Sequence, residues 1–117
     1  MLKVCIIGNS GHYGYVTERA GKKNGDFYIA AVTDGPEKSG TDYIDMLEKE
    51  KLDIAVVNPY LVYNSQVSIE CLQRDINVFS DKPSATTLED LSKLKKAYSE
   101  SSKVYSTMMA CGNKSDY

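Results

Sequence analysis

The chain has 117 residues, a formal net charge of −2, 42% hydrophobic residues and 26% charged residues. This length and composition are typical of a globular domain with a hydrophobic core, so we expect a single domain over residues 1–117. The weak net charge gives no basis for a nucleic-acid partner. The sequence has no apolar run near the roughly 18 residues of a transmembrane helix and no signal-peptide pattern, so we expect no membrane partner and a cytoplasmic location.

The chain has three cysteines, Cys5, Cys71 and Cys111, which are widely spaced and form no Cys-x-x-Cys pair. It also has a single histidine. An odd number of scattered cysteines is typical of reduced thiols in a cytosolic protein, and the pattern predicts no metal site.

Short apolar runs alternate with segments of helical periodicity along the chain. The predicted strands cover residues 2–7, 27–33, 53–57, 76–80 and 103–108. The predicted helices cover residues 12–23, 41–51, 64–74 and 86–101, and residues 34–40 are predicted to be a loop. This alternation predicts a Rossmann-type, three-layer α/β/α fold with a mostly parallel sheet of about five strands.

The last predicted helix has a clear start signal. A capping box runs from Thr86 to Glu89 and places the helix N-cap at Thr86. Four apolar residues then recur at helical spacing and predict the buried face of this helix. They are Leu88, Leu91, Leu94 and Tyr98.

A glycine-containing segment follows the first predicted strand. The apolar run from Val4 to Ile7 stops at Gly8, and Gly11 and Gly14 come next. Glycines between a strand and a helix leave backbone N–H groups uncovered, and the positive end of the helix favours a pyrophosphate. The candidate binding residues are Gly8, Asn9, Ser10, Gly11, His12, Tyr13 and Gly14. The alternative is an ordinary strand–turn–helix junction, with an exposed histidine, a packed tyrosine and polar turn residues.

The ends of the predicted strands should meet at one edge of the sheet. Right-handed crossovers between parallel strands bring all their carboxyl ends together, and ligands of such folds bind in that crevice. The residues that follow the first four strands should therefore cluster. They are Gly8, Asp34, Asn58–Pro59 and Asp81–Lys82–Pro83.

Asp34 is the candidate ribose ligand. It follows the second strand, where a carboxylate can accept hydrogen bonds from both hydroxyls of an adenosine ribose. Such a carboxylate repels a 2′-phosphate and favours NAD over NADP, although the nearby Lys38 weakens this inference. The alternative is that Asp34 is an exposed acid that opens an Asp-Gly turn.

Two further segments are candidates for the other end of a dinucleotide. Asn58–Pro59 and Tyr63 would lie beside the nicotinamide, although Tyr63 has an equal alternative role in packing. Lys82, in the Asp81–Lys82–Pro83 turn, can bond a substrate hydroxyl, stabilise an alkoxide or move a proton. A cis Lys82–Pro83 bond would suit so tight a turn. Without this context, a loop lysine is usually only solvated.

Together these segments resemble the N-terminal half of the Gfo/Idh/MocA oxidoreductase family over nearly the whole chain. The resemblance rests on the glycine loop from Gly8, on Asp34, on residues 53–59 and on residues 78–83. It implies a Rossmann domain that binds NAD(P), with hydride transfer to or from a sugar, cyclitol or similar hydroxylated molecule. Lys82 would correspond to the family's lysine near the nicotinamide and the substrate.

The chain departs from the family pattern in several places. Asp81 replaces the usual glutamate before Lys82, Tyr63 stands where histidine is common, and the connection after Asp34 is short, which implies a lost edge strand. The family's second domain, which binds substrate, is absent from these residues. We therefore expect no catalysis by this chain alone, with an exposed docking surface that could form a homodimer. The alternatives are a nucleotide-sensing module and a domain that serves only in assembly.

Overall fold

The computed structural model describes residues 2–8 and 27–107. Within these ranges the strands are β1 (Leu2–Ile7), β2 (Phe27–Thr33), β3 (Ile54–Val57), β4 (Asn77–Ser80) and β5 (Tyr105–Thr107). They form one sheet in the order β2-β1-β3-β4-β5, and every neighbouring pair is parallel. The predicted parallel α/β fold is confirmed, and β1 and β2 have the predicted boundaries.

The described helices occupy the connections between strands. They are α1 (Pro36–Ser39), α2 (Asp42–Lys49), a 3₁₀ helix (Leu61–Tyr63), α3 (Asn64–Leu72) and α4 (Leu88–Ser99). The prediction of a loop over residues 34–40 is wrong in part, because this connection contains α1. Proline stands at the start of α1, where its fixed φ favours a helical turn. The helix predicted over residues 12–23 lies outside the described residues.

The start of α4 corrects the sequence prediction. Thr87, and not Thr86, is the N-cap, and its side chain accepts a hydrogen bond of 3.0 Å from Asp90 N. Two threonines stand side by side here, and the extended backbone of Thr87 lets its side chain accept from the Asp90 amide. The buried face is also different from the prediction, since Leu88 is 85% exposed and Tyr98 is 50% exposed. Of the predicted apolar positions, Leu94 is buried, and the buried Ala97 adds to this face.

The core lies on both sides of β1, as the apolar run predicts. Cys5 and Ile7 belong to the main core cluster, to which α2, α3 and α4 contribute. Val4 and Ile6 pack with Val56 on the opposite face of the sheet. A central parallel strand that is buried on both faces fixes the sheet between two apolar layers.

The pairing of β1 with β2 contains one irregularity. Val4 pairs with Ile29, and Cys5 pairs with Ala31, so that Ala30 is an extra residue of β2. Beyond this bulge, the two strands pair regularly as far as Ile7 and Thr33. The residues that follow, at the carboxyl ends of β1 and β2, therefore lie at the same level of the sheet.

Cys5 and Cys71 are buried free thiols, and Cys111 lies outside the described residues. Burial raises the pKa of the Cys5 thiol from 9.0 to about 12. Burial also raises the pKa of Cys71 well above its ordinary value. In residues 2–8 and 27–107, no helix is long and apolar enough to span a membrane.

The raised pKa of Cys5 predicts a loss of stability in alkaline solution. As pH rises, the thiol of the unfolded chain ionises near its ordinary pKa, while the folded chain holds the proton up to about pH 12. The unfolded state is therefore favoured progressively above about pH 9. Urea unfolding at several pH values should show a steeper alkaline fall in the free energy of unfolding for the wild type than for Cys5→Ala. Equal slopes would contradict the prediction.

Candidate functional site

The carboxyl ends of four strands meet at one edge of the sheet. In each of three strand pairs, the residue after one strand donates its backbone amide to the neighbouring strand. These bonds are Gly8 N to Thr33 O, Asn58 N to Ile7 O and Asp81 N to Val57 O, each at 2.8 Å. The structure thus brings together the strand-end residues that the sequence predicts to cluster.

Gly8 allows β1 to end against the segment that follows β3. Its φ is +89°, and a Cβ atom there would lie 2.5 Å from Pro59 N and would also overlap the carbonyl oxygen of Asn58. The Asn58 side chain is fully buried and donates from Nδ2 to Gly8 O at 3.0 Å. Pro59 is also buried. Asn58 and Pro59 therefore form the surface against which Gly8 packs.

The other residues of the predicted phosphate-binding segment lie outside the described residues. Gly8 is its one member within the described residues. Those outside are Asn9, Ser10, Gly11, His12, Tyr13 and Gly14. Their role stays a prediction from the sequence.

Asp34 follows β2 at the same edge and is exposed. Its backbone is held by α1, because Ser39 Oγ donates to Asp34 O at 2.8 Å. Glu37, in the first turn of α1, accepts a hydrogen bond of 3.0 Å from Tyr60 N. Glu37 could not be identified from the sequence, since an acid in a predicted loop gives no signal for a partner so distant along the chain.

The segment after β4 forms a tight turn beside Asn58. Asp81 is buried, and its Oδ1 accepts a hydrogen bond of 3.0 Å from Lys82 N. The Lys82–Pro83 peptide bond is cis, as the sequence analysis expects. Lys82 itself is exposed. The turn therefore buries the acid that precedes the lysine and leaves the lysine side chain accessible.

Asn64 fixes this turn from the first residue of α3. Its side chain is 1% exposed, and Nδ2 donates to Asp81 O at 3.2 Å and to Pro83 O at 2.8 Å. One amide group thus holds the carbonyl groups on both sides of Lys82. Nothing in the sequence marks Asn64 except its place at the start of a predicted helix.

Tyr63 shows the packing role that the sequence analysis gave as an alternative. It is half-buried and packs against the main core cluster. It also ends the 3₁₀ helix and is the N-cap residue of α3. In the described part of the chain, no group of three histidine, cysteine or acidic residues could hold a metal ion.

The close approach at Gly8 predicts a large effect of a single methyl group. Gly8→Ala should lower the free energy of unfolding by about 3 kcal/mol or more, because an unfavourable φ and a steric clash add together. Gly40→Ala is the matched control, since Gly40 has a φ of +61° and nothing lies within 4 Å of its added Cβ. That control should cost only about 1–3 kcal/mol in urea unfolding, because it adds backbone strain without a steric clash. Equal losses would contradict a packed contact at Gly8.

Asn64 and Ser68 are both buried polar residues, and their hydrogen bonds predict different losses of stability when each is replaced by alanine. Asn64→Ala should lower the free energy of unfolding by about 1–3 kcal/mol, because the buried Asp81 carbonyl group and the partly buried Pro83 carbonyl group lose their donor. Ser68 lies one turn later on α3 and is fully buried, but its hydroxyl has no hydrogen-bond partner in the described structure. Ser68→Ala should therefore change stability little or increase it. A larger loss for Ser68→Ala than for Asn64→Ala would refute this assignment.

Comparison with known proteins identifies the family. A family model described as an oxidoreductase family with an NAD-binding Rossmann fold, Gfo/Idh/MocA, matches residues 2–109. A search of curated proteins finds no significant match.

Solved structures share the fold over most of this chain. A Thermotoga maritima protein described as an oxidoreductase is 32% identical with a TM-score of 0.78, over 92% of this chain and 38% of its own. Myo-inositol 2-dehydrogenase from Lactobacillus plantarum is 17% identical with a TM-score of 0.69, over 92% and 36%. The WlbA dehydrogenase of Chromobacterium violaceum, solved with NADH and UDP-GlcNAcA, is 23% identical with a TM-score of 0.68, over 92% and 34%.

At 17% and 23% identity, the Lactobacillus plantarum and Chromobacterium violaceum structures show only that the fold is shared. The present chain spans little more than a third of the length of each relative. The family match covers both described ranges, from β1 to β5. The chain therefore belongs to the Gfo/Idh/MocA oxidoreductase family and matches the NAD-binding Rossmann fold of that family.

Proposed function

We propose that this chain binds NAD at the carboxyl edge of its sheet and is the cofactor-binding part of an oxidoreductase. The observation that carries the proposal is the convergence of Gly8, Asp34 and the Asp81–Lys82–Pro83 turn at that edge. A bound nicotinamide supplies a hydride donor or acceptor. The residues fit such a cofactor, because a strand end without a side chain, an exposed carboxylate and an exposed lysine lie at the same edge of the sheet.

The residues nearest to β1 and β2 would hold the adenosine half. Gly8 begins the segment whose glycines favour a pyrophosphate. The Asp34 carboxylate would accept hydrogen bonds from the ribose hydroxyls and repel a 2′-phosphate, so we propose NAD rather than NADP. Asn58 and Pro59, which pack on Gly8, would border the cofactor toward its nicotinamide, and Tyr63 packs against the main core cluster.

Lys82 would carry the proton chemistry. Its ammonium group can donate a hydrogen bond to the substrate oxygen from which, or to which, a proton moves. The same charge stabilises that oxygen as negative charge develops on it. Asn64 and Asp81 fix the backbone on both sides of Lys82, so the side chain extends from an immobilised turn.

We propose a substrate class from the family resemblance and from this lysine. A hydroxylated small molecule such as a sugar or cyclitol suits an ammonium group beside a nicotinamide. Because the chain spans little more than a third of its relatives' length, we propose that substrate selection and turnover need a second domain. The buried free thiols suit the reducing cytoplasm.

A cofactor titration tests this proposal. The chain has nine tyrosines and no tryptophan, so energy transfer from tyrosine to the reduced nicotinamide reports binding. We expect saturable binding of NADH that is tighter than binding of NADPH. Asp34→Ala should reduce this preference about tenfold, because it removes charge-assisted hydrogen bonds and a repulsive charge.

Glu100→Ala is the charge-matched control for Asp34→Ala. Glu100 is exposed at the far end of α4, so its removal should leave the preference unchanged. If the folded chain binds neither cofactor, the proposed function is wrong. If the preference survives Asp34→Ala, Asp34 is only a turn residue.

A further inference from the structure

The loop after β2 packs directly against the segment after β3. Gly35, the N-cap residue of α1, is buried, and a Cβ added to it would overlap Pro59 Cβ. A side chain at position 35 would therefore push the two segments apart. The segment that carries Asp34 thus depends on the segment that carries Pro59 for its position.

Glu37 ties these two segments together by a hydrogen bond. Its Oε2 accepts from Tyr60 N at 3.0 Å, across 23 positions of sequence. Tyr60 is the N-cap residue of the 3₁₀ helix, where a backbone N–H has no partner within its own helix. The carboxylate supplies that partner from the neighbouring loop.

The helix α1 also holds the backbone of Asp34. Ser39 Oγ donates to Asp34 O at 2.8 Å and is also within 3.1 Å of Gly35 O. Ser39 and Glu37 belong to one helical turn. Two hydrogen bonds therefore connect α1 to its neighbours. Glu37 bonds Tyr60 N, and Ser39 of the same helical turn bonds the carbonyl group of Asp34.

We propose that Glu37 is a positioning residue for dinucleotide selection, which it serves by holding Asp34 in place through α1. This inference rests on the proposed function, since it assumes that Asp34 bonds the ribose. It assigns the effect of Glu37 to its hydrogen bond with Tyr60 N and not to its negative charge. The isosteric change Glu37→Gln separates the two, because glutamine keeps an acceptor oxygen and loses the charge.

Equilibrium binding of NADH and NADPH to the 117-residue chain gives the first test. Glu37→Ala should weaken NADH binding about fivefold and reduce the preference for NADH, since one hydrogen bond that orients Asp34 is lost. Glu37→Gln should keep the NADH preference within about twofold of the wild type. Glu100→Ala again controls for the loss of one exposed charge.

Amide hydrogen exchange without cofactor gives the second test. Glu37→Ala should speed exchange at Tyr60 N and across residues 34–40, while Glu37→Gln should leave both slow. This measurement needs no bound nucleotide and reports the bond itself. It also detects a general loss of structure, which would speed exchange in the core strands as well.

The outcomes separate this inference from the proposed function. If the wild type binds neither cofactor, the proposed function and this inference both fail. If the wild type prefers NADH and Glu37→Ala retains that preference, only the positioning role of Glu37 is overturned. Equal losses for Glu37→Gln and Glu37→Ala would overturn it too, because they would assign the effect to charge.

Discussion

The contact between Gly8 and the segment after β3 is the constraint on which the candidate site depends. At this point, the backbone of β1 lies so close to Asn58 and Pro59 that no Cβ atom fits between them. The Gly8 amide meanwhile bonds the last residue of β2, and its carbonyl accepts from the Asn58 side chain. One residue without a side chain therefore sets the distance between three strand ends.

A large part of the fold can be predicted from local patterns. The apolar run of β1 has the composition of a strand buried on both faces, and the structure confirms this. Local patterns fail where two neighbours are chemically alike, as at Thr86 and Thr87, because the choice of N-cap depends on the backbone conformation. They also fail for α1, a single turn that is held by its contacts with Pro59 and Tyr60.

In the candidate site, too, some residues can be predicted from the sequence and others cannot. Asp34 and the Asp81–Lys82–Pro83 turn can be predicted because they follow strands of a parallel sheet, whose carboxyl ends must meet. Asn64 and Glu37 cannot be predicted, because their importance comes from partners 17 to 23 residues away that only the folded chain brings near. Both are polar residues whose side chains hold a neighbouring loop.

Because β2 contains an extra residue, the length of this strand can differ by one residue while its carboxyl end keeps the same position in the sheet. Ile29 and Ala31 pair with consecutive residues of β1, so Ala30 is accommodated outside the regular ladder. A chain that lacked this one residue could keep both pairings, with Thr33 still opposite Ile7. Removal of Ala30 would therefore shorten β2 by one residue and leave Asp34 at the same level of the sheet as Gly8.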